Sequence, residues 1–275
     1  KSFIQMKILL NNNDLNEALN NVSNLGFIPT MGSLHKGHIS LIKKSQKICK
    51  KTIVSIFVNP LQFNNLDDYK KYPRNNKKDL SILRKLKVNY VFVPKKKNIY
   101  AKKKFFKVNI AKKDKILCAK YRKGHFEGVI DVMNRLTNLI NPTKIFMGEK
   151  DFQQLYLVKK YIKKKYRSKI FLCKTIRDKN KVALSSRNFH LNKTELLIAG
   201  KIAKKIFSLK NEIKTQKNFK TFLNKNKKEL NKKFNITVEY LELRNTKNLK
   251  ISNKFKDSKI FIAFYLNKIR LIDNF

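Results

Sequence analysis

The sequence predicts an α/β protein with a parallel-sheet domain over residues 1–174 and a smaller C-terminal α+β domain over residues 175–275. Three observations carry this. Short apolar runs alternate with helical patterns through the first two thirds of the chain. The last hundred residues instead join two helical stretches to three strand-like runs. All five Pro, and every Gly but Gly200, precede residue 149. Strands that are apolar throughout, separated by helices in the order β-α-β-α-β, imply parallel pairing through right-handed crossovers.

Taken in order, Leu25–Pro29 reads as a strand and Gly37–Lys50 as a helix with Ile39, Leu41, Ile42 and Ile48 partly at helical spacing. Thr52–Val58 (TIVSIFV) is a continuous apolar run of the kind buried on both faces. Asp79–Leu86 is helical, and Tyr90–Val93 is a strand that Pro94 ends. Glu127–Ile140 places Val129, Val132, Met133, Leu136 and Ile140 on one helical side; Lys144–Met147 is a strand, Phe152–Lys165 a helix and Ile170–Cys173 a strand. Beyond the boundary, Lys193–Leu209 and Asn218–Lys233 read as helices. Ile236–Leu243, Lys259–Leu266 and Ile269–Ile272 read as antiparallel strands.

Composition sets further limits. The 65 Lys or Arg against 18 Asp or Glu give a formal net charge of +47, which suggests a nucleic-acid binder. Only nine of these cations are Arg, the residue that bidentate and stacked contacts to nucleic acid favour, and the Lys are spread over the whole chain. They fill exposed positions; the runs Lys95–Lys97, Lys102–Lys104 and Lys163–Lys165 read as solvated faces or loops. With 42% apolar and 11% aromatic residues the chain is no disordered polycation. Cys49, Cys118 and Cys173 are odd in number and widely spaced, so neither a disulfide framework nor a zinc site is expected. No apolar run approaches 18 residues and the start lacks a signal-peptide pattern, so a soluble, cytoplasmic protein is expected.

The most informative segment is PTMGSLHKGH, Pro29–His38, where a strand gives way to a helix. In an open parallel sheet ligands bind beyond the carboxyl ends of the strands, and a helix N-terminus there offers free N–H groups to a phosphate. Gly32 and Gly37 nearly complete a P-loop, but His38 stands where its Lys belongs and Ile39 where its hydroxyl belongs. His35 and His38, three apart at a helix start, can donate to phosphate oxygens from one face. A metal pair or two surface histidines are the other readings, and no Cys or carboxylate lies nearby at ligand spacing.

Three further segments repeat the arrangement of a strand end followed by polar groups. FVNPLQF offers the amides of Asn59 and Gln62, although Asn-Pro alone is also an ordinary turn. GEKDFQQ, Gly148–Gln154, offers Lys150 to a phosphate, Asp151 as a cap or a ribose or metal ligand, and the amides of Gln153 and Gln154. LSSRN, Leu184–Asn188, sets two hydroxyls and an Arg in a polar loop beside the boundary.

These four segments, together with YPR at Tyr72–Arg74, RKGHFEGV at Arg122–Val129 and the terminal RLIDN at Arg270–Asn274, closely resemble the pantothenate synthetase (pantoate–β-alanine ligase) family. The resemblance covers essentially the whole chain. It implies a Rossmann-like, ATP- and pantoate-binding first domain of the HIGH-type nucleotidyltransferase superfamily. The second domain would be a lid carrying the LSSRN loop. The implied reaction is condensation of (R)-pantoate with β-alanine through a pantoyl adenylate, releasing AMP and diphosphate.

By the same match Met31, Gly32, Ser33, Leu34, His35, Lys36, Gly37 and His38 contact ATP and His38 takes the proton-donor role, while the charge of the reaction favours His38 stabilising the departing diphosphate with His35 assisting. Lys150, Ser185, Ser186 and Arg187 hold the triphosphate; Gly148, Glu149, Asp151, Ile176 and Leu184 complete the ATP site. Gln62 and Gln154 bind pantoate, Gln62 also β-alanine, with Asn59, Tyr72 and Arg122 in support. Mg²⁺ is expected on the ATP phosphates rather than in a protein cage, and the family implies a homodimer. Two departures stand out. Asn180-Lys181 replaces the family's Asp-Gly before the LSSRN loop, and Asp79 stands where relatives often carry more acids, leaving a secondary metal contact open.

Overall fold

A computed structural model describes residues 5–100, 108–163 and 165–275; the Lys102–Lys104 run and Lys164 lie outside them. The chain forms two compact units. The first comprises Lys1–Lys112, Arg122–Glu149 and Gln154–Lys174; the second comprises Lys113–Tyr121, Lys150–Gln153 and Thr175–Phe275.

In the first unit six strands form one sheet: β1 (Lys7–Leu9), β2 (Leu25–Thr30), β3 (Lys51–Ile56), β4 (Tyr90–Phe92), β5 (Lys144–Gly148) and β6 (Lys169–Cys173). Their order is β1-β4-β3-β2-β5-β6 and every neighbouring pair is parallel. From β2 the chain builds outward through β3 to β4, and then returns to lay β5 on the other side of β2. The reversal falls between β2 and β5, paired at Gly26 with Lys144 and Phe27 with Ile145. Ligands bind at such a switch point, beyond the carboxyl ends of the two strands. PTMGSLHKGH leaves β2 there and Gly148 ends β5 there, which explains why motifs so far apart in sequence belong together.

The helices of this unit are α1 (Asn12–Leu19), α2 (Lys36–Ile48), α3 (Leu66–Lys71), α4 (Asn76–Lys85), α5 (Lys96–Tyr100), α7 (His125–Ile140) and most of α8 (Phe152–Ile162); α6 (Cys118–Tyr121) belongs to the second unit. The strands are apolar because helices cover them. Ile28, Val54 and Val91 from three adjacent strands pack with Ile42 of α2 and Leu83 of α4, all fully buried. Each such side chain contributes about 1.5–3 kcal/mol relative to exposure.

The second unit holds α9 (Lys193–Glu212), α10 (Phe219–Phe234) and an antiparallel sheet, β7 (Thr237–Asn245), β8 (Ser258–Leu266) and β9 (Ile269–Asn274), in the order β7-β8-β9. Asn192 and Glu195 exchange hydrogen bonds of 2.9 and 2.8 Å across the first turn of α9, so this helix starts where its capping box dictates. Ile202, Ile206 and Leu209 of α9 and Leu223 and Leu230 of α10 pack on Ile260 and Ile262 of β8.

Three details depart from the sequence reading. It does not include β1, α1, α3, α5 and α6, because β1 has only three residues, α3, α5 and α6 have six or fewer, and α1 is set by a side-chain cap rather than by apolar spacing: Asn11 accepts from Asn13 and Asp14. α8 ends at Ile162, short of the Lys run, and β3 ends at Ile56 because Asn59 starts a turn. No Lys is among the buried side chains of the described residues, so the Lys of this part of the chain reach the surface. No helix among the described residues is long and apolar enough to cross a membrane.

Candidate active site

The loop between β2 and α2 is held from three sides. Thr30 donates its hydroxyl to the Ser55 carbonyl at 2.6 Å and accepts the Gly32 amide at 3.2 Å. Gly32 then turns with φ +81°, and a Cβ there would meet Asp79 Oδ2 at 2.9 Å. Asp79 of α4 accepts the amides of Ser33 and Leu34 at 2.7 and 2.8 Å and is 1% exposed. Each of its oxygens thus accepts a backbone N–H group, so Asp79 is a clamp on the loop.

His35 is the N-cap of α2, its Nδ1 accepting the Gly37 amide at 3.1 Å, while His38 Nδ1 accepts the His35 amide at 3.3 Å. The rings lie 4.2 Å apart, tilted by 44°. A ring whose Nδ1 accepts a backbone N–H carries its proton, when neutral, on Nε2. The reciprocal cap therefore assigns one tautomer to both imidazoles and makes both Nε2–H groups donors at a helix N-terminus, the arrangement an anion requires. Ser33 and Leu34 are buried and Met31 and His35 half-buried, whereas Lys36 is exposed on the first turn of α2.

Gln62 joins this loop directly, donating from Nε2 to the Met31 thioether at 3.0 Å. It sits in a short 3-10 turn, Pro60–Gln62, capped by Asn59. Asn59 is 1% exposed: its Nδ2 reaches Gln62 Oε1 at 3.3 Å and the Gly128 carbonyl at 3.1 Å, and its Oδ1 accepts from Leu61 N and from Tyr100 Oη at 3.2 and 2.8 Å. Burial and the nearby Asp131 push the Tyr100 phenol well above its ordinary value, so it stays a donor. The Arg135 guanidinium lies 4.6 Å from the Tyr100 ring centroid and pairs with Asp131 at 3.0 Å.

α7 supports the turn from below. A Cβ at Gly128 would come within 2.3 Å of the Leu61 carbonyl oxygen, so the close approach requires Gly. His125, 6% exposed, meets the Gln62 carbonyl through Nδ1 at 2.6 Å and Arg122 Nη1 through Nε2 at 2.7 Å. Arg is only a donor, so Nε2 accepts and His125 carries its proton on Nδ1, the tautomer opposite to that of His35 and His38. Tyr72, expected as a supporting residue, packs its ring edge-on against Phe63.

Gly148 and Glu149, half-buried, lie at the end of β5, and half-buried Gln154 in the first turn of α8. Gln153 goes elsewhere. Its Nε2 is fixed on the Ile116 carbonyl at 2.6 Å within the second unit, so it is structural and not a further substrate amide.

The second unit holds the remaining expected residues. Lys150 and Asp151 pair at 3.4 Å, and Asp151 is about half exposed, so this contact is weak. The Ile176 carbonyl accepts the Leu184 amide at 2.9 Å, which sets Ile176 beside the start of LSSRN. Ser185 caps the 3-10 segment Ser186–His190, its hydroxyl accepting the Arg187 amide at 3.3 Å, and Asn188 Nδ2 donates to the Ala183 carbonyl at 3.1 Å. Sequence reasoning missed the clamp of Asp79, the wedge of His125 and the Tyr100–Asn59 contact. His125 lies inside the motif RKGHFEGV, and its presence there is the one signal that pointed to it.

A parallel sheet whose switch point carries a histidine-capped helix and a buried amide turn defines a nucleotide-phosphate-binding α/β protein. The family model for pantoate-beta-alanine ligase matches residues 7–275. A pantothenate synthetase of Francisella tularensis subsp. mediasiatica is 41% identical over 259 residues, 91% of this chain and 88% of the relative; one of Clostridium botulinum is 40% identical over 257 residues, 91% and 90%. Among solved structures, the pantoate-beta-alanine ligase from Francisella tularensis complexed with beta-gamma ATP and beta-alanine is 36% identical, with a TM-score of 0.83 and coverage of 98% and 97%. The pantothenate synthetase from Thermus thermophilus is 26% identical, with a TM-score of 0.90 and coverage of 98% and 99%. The chain belongs to the pantoate–β-alanine ligase family.

Proposed function

We propose that this chain condenses (R)-pantoate with β-alanine at the expense of ATP, the last step of pantothenate biosynthesis. A pantoate carboxylate oxygen attacks the α-phosphorus of ATP and the bond to diphosphate breaks, giving pantoyl adenylate. The β-alanine amine then attacks the acyl carbon, the bond to AMP breaks, and the amine loses a proton.

The observation that carries this reading is the reciprocal cap of His35 and His38, each accepting a backbone N–H through Nδ1 at the N-terminus of α2 beyond the end of β2, which assigns their Nε2–H groups as donors. An anion attacking a polyanion needs fixed donors where charge accumulates, and preorganised donors of this kind account for much of such catalysis. His38, with His35, donates to the departing diphosphate. Lys150, Arg187, Ser185 and Ser186 hold the triphosphate, Gly148, Asp151 and Ile176 take the adenosine portion, and Glu149 and Leu184 complete the ATP site. Gln62 and Gln154 orient pantoate through neutral amides that add no charge, and Gln62 also meets β-alanine.

Mg²⁺ enters bound to the phosphates and neutralises them. This is the usual way Mg²⁺ enters ATP-using sites, keeping several waters and few protein ligands. The reading includes a cytoplasmic homodimer.

The test is a single turnover with carboxyl-¹⁸O pantoate. One label appears in AMP only if the carboxylate attacks phosphorus, and AMP release depends on β-alanine. Folded protein that releases no β-alanine-dependent AMP sinks the reading. A nucleotidyl group retained on the final product would instead mark a different nucleotidyltransferase.

A further inference from the structure

The last strand of the second unit is tied to both of its proposed phosphate-holding segments. Asp273 of β9 receives Arg177 in a forked pair, Nη1 to Oδ2 at 2.6 Å and Nη2 to Oδ1 at 2.8 Å. The two side chains are only 16% and 10% exposed. Arg177 also lies beside the rings of Phe207 and Phe275, its Cζ 5.1 and 4.5 Å from their centroids. Two further N–H groups go to backbone: Nη1 reaches the Lys181 carbonyl at 2.9 Å and Nη2 the Asn274 carbonyl at 3.1 Å.

Lys181 is in the turn that returns the chain to LSSRN. Arg177 and Ala183 are bridged antiparallel, Asp178 N donates to the Val182 carbonyl at 2.9 Å, and Asp178 Oδ1 accepts the amides of Asn180 and Val182 at 2.8 and 2.9 Å. Lys181 adopts φ +71°, a left-handed conformation that costs a side-chain-bearing residue and that Gly adopts freely. Arg177 therefore grips the carbonyl of the least comfortable residue of the turn. Next to Asp273, Asn274 donates Nδ2 to the Lys150 carbonyl at 2.9 Å.

We propose that Arg177, Asp273 and Asn274 are positioning residues for ATP, locking the Lys150 backbone and the turn before Ser185–Arg187 to one strand so that the phosphate-holding groups keep a fixed spacing. This rests on the reading above for what those groups hold. A buried ion pair returns little net stability once its desolvation is counted, whereas a forked guanidinium fixes direction in a plane. Its use here is geometric. None of the three needs to touch substrate.

The test uses the full chain with Arg177→Met and Asp273→Leu combined, apolar replacements of similar volume that leave no unpaired charge between the Phe rings. Equilibrium ATP binding, thermal midpoint and the Michaelis constants of all three substrates are measured. The expected result is an ATP Kd and KM raised about tenfold, the loss of roughly one well-placed hydrogen-bonded contact, with the constants for pantoate and β-alanine within about twofold. Asn274→Ala alone should raise both ATP constants severalfold, and it decides the matter if the double variant does not fold. ATP binding within about twofold of the parent in a folded variant overturns the inference, as does a drop in kcat alone, the sign of fewer active molecules. If the parent binds ATP but makes no pantothenate, the functional reading fails while the binding arm still decides this one.

Discussion

Oδ1 of Asp79 lies 2.8 Å from the amide nitrogen of Leu34, and its other oxygen takes the amide of Ser33 at 2.7 Å, across a separation of more than forty residues. Asp79 is the acceptor that sets the shape of the loop proposed to bind the ATP phosphates. Asp79→Asn keeps the volume but turns an NH2 group toward an N–H. The loss should be about 1.5–3 kcal/mol, the range for hydrogen bonds to a charged group. Urea midpoints and the ATP KM check this; an unchanged midpoint would remove Asp79 from the loop.

Gly128→Ala tests the other side of the site. The new Cβ would press on the Leu61 carbonyl at 2.3 Å, so the turn carrying Gln62 must move. The Michaelis constants for pantoate and β-alanine should rise about tenfold or more, because a shift of about 1 Å at a substrate-orienting group is costly. The ATP constant should stay within about twofold. A rise confined to ATP would contradict the assignment of Gln62.

His38→Ala should slow adenylate formation by about 10²-fold or more if its Nε2–H stabilises the departing diphosphate. The same change removes the acceptor for the His35 amide, costing the helix about 1 kcal/mol. Rapid-quench measurement of adenylate beside a thermal melt separates the two. Near-normal adenylate formation would refute the role.

The sheet is legible in the sequence because β2, β3, β4, β5 and β6 are apolar runs too short for helices, and the switch point follows from their order once β5 is placed beside β2. The histidine-capped helix is legible because its chemistry lies within ten consecutive residues. Asp79, His125 and Tyr100 are not, since each acts through a backbone group or an amide far away in sequence, and nothing in the local pattern marks a buried acceptor. Arg177 and Asp273 illustrate the same limit: the terminal RLIDN is visible as a motif, but the fork it receives needs a fold to exist.

Lys181→Gly should stabilise the protein by up to about 1 kcal/mol, as the relief of a left-handed Lys outweighs the extra freedom Gly has when unfolded. A denaturant midpoint that falls would mean the Lys side chain holds the turn in some other way.

Burial pushes the Asp273 carboxyl above its ordinary value of 3.8, against the opposing pull of Arg177. The folded protein then keeps this proton at a pH where the unfolded chain has released it. Its contribution to stability is therefore greatest below 3.8 and declines as pH rises through the folded value. Unfolding free energies of the parent minus those of Asp273→Asn, followed from about pH 3 to about pH 6, should fall with pH. A difference that grows instead would show Arg177 outweighing burial.

The second unit is assembled from three stretches of chain, and the two short ones are structural members of it. Phe152 sets its ring against Phe261 at 5.7 Å, Gln153 hangs on the Ile116 carbonyl, and Cys118 lies 3.1 Å from the Tyr240 hydroxyl. A gene fragment beginning at Thr175 would lack all of these. Exchanging the C-terminal hundred residues between relatives is therefore no cassette swap, because residues 113–121 and 150–153 must travel with them or be matched in the recipient.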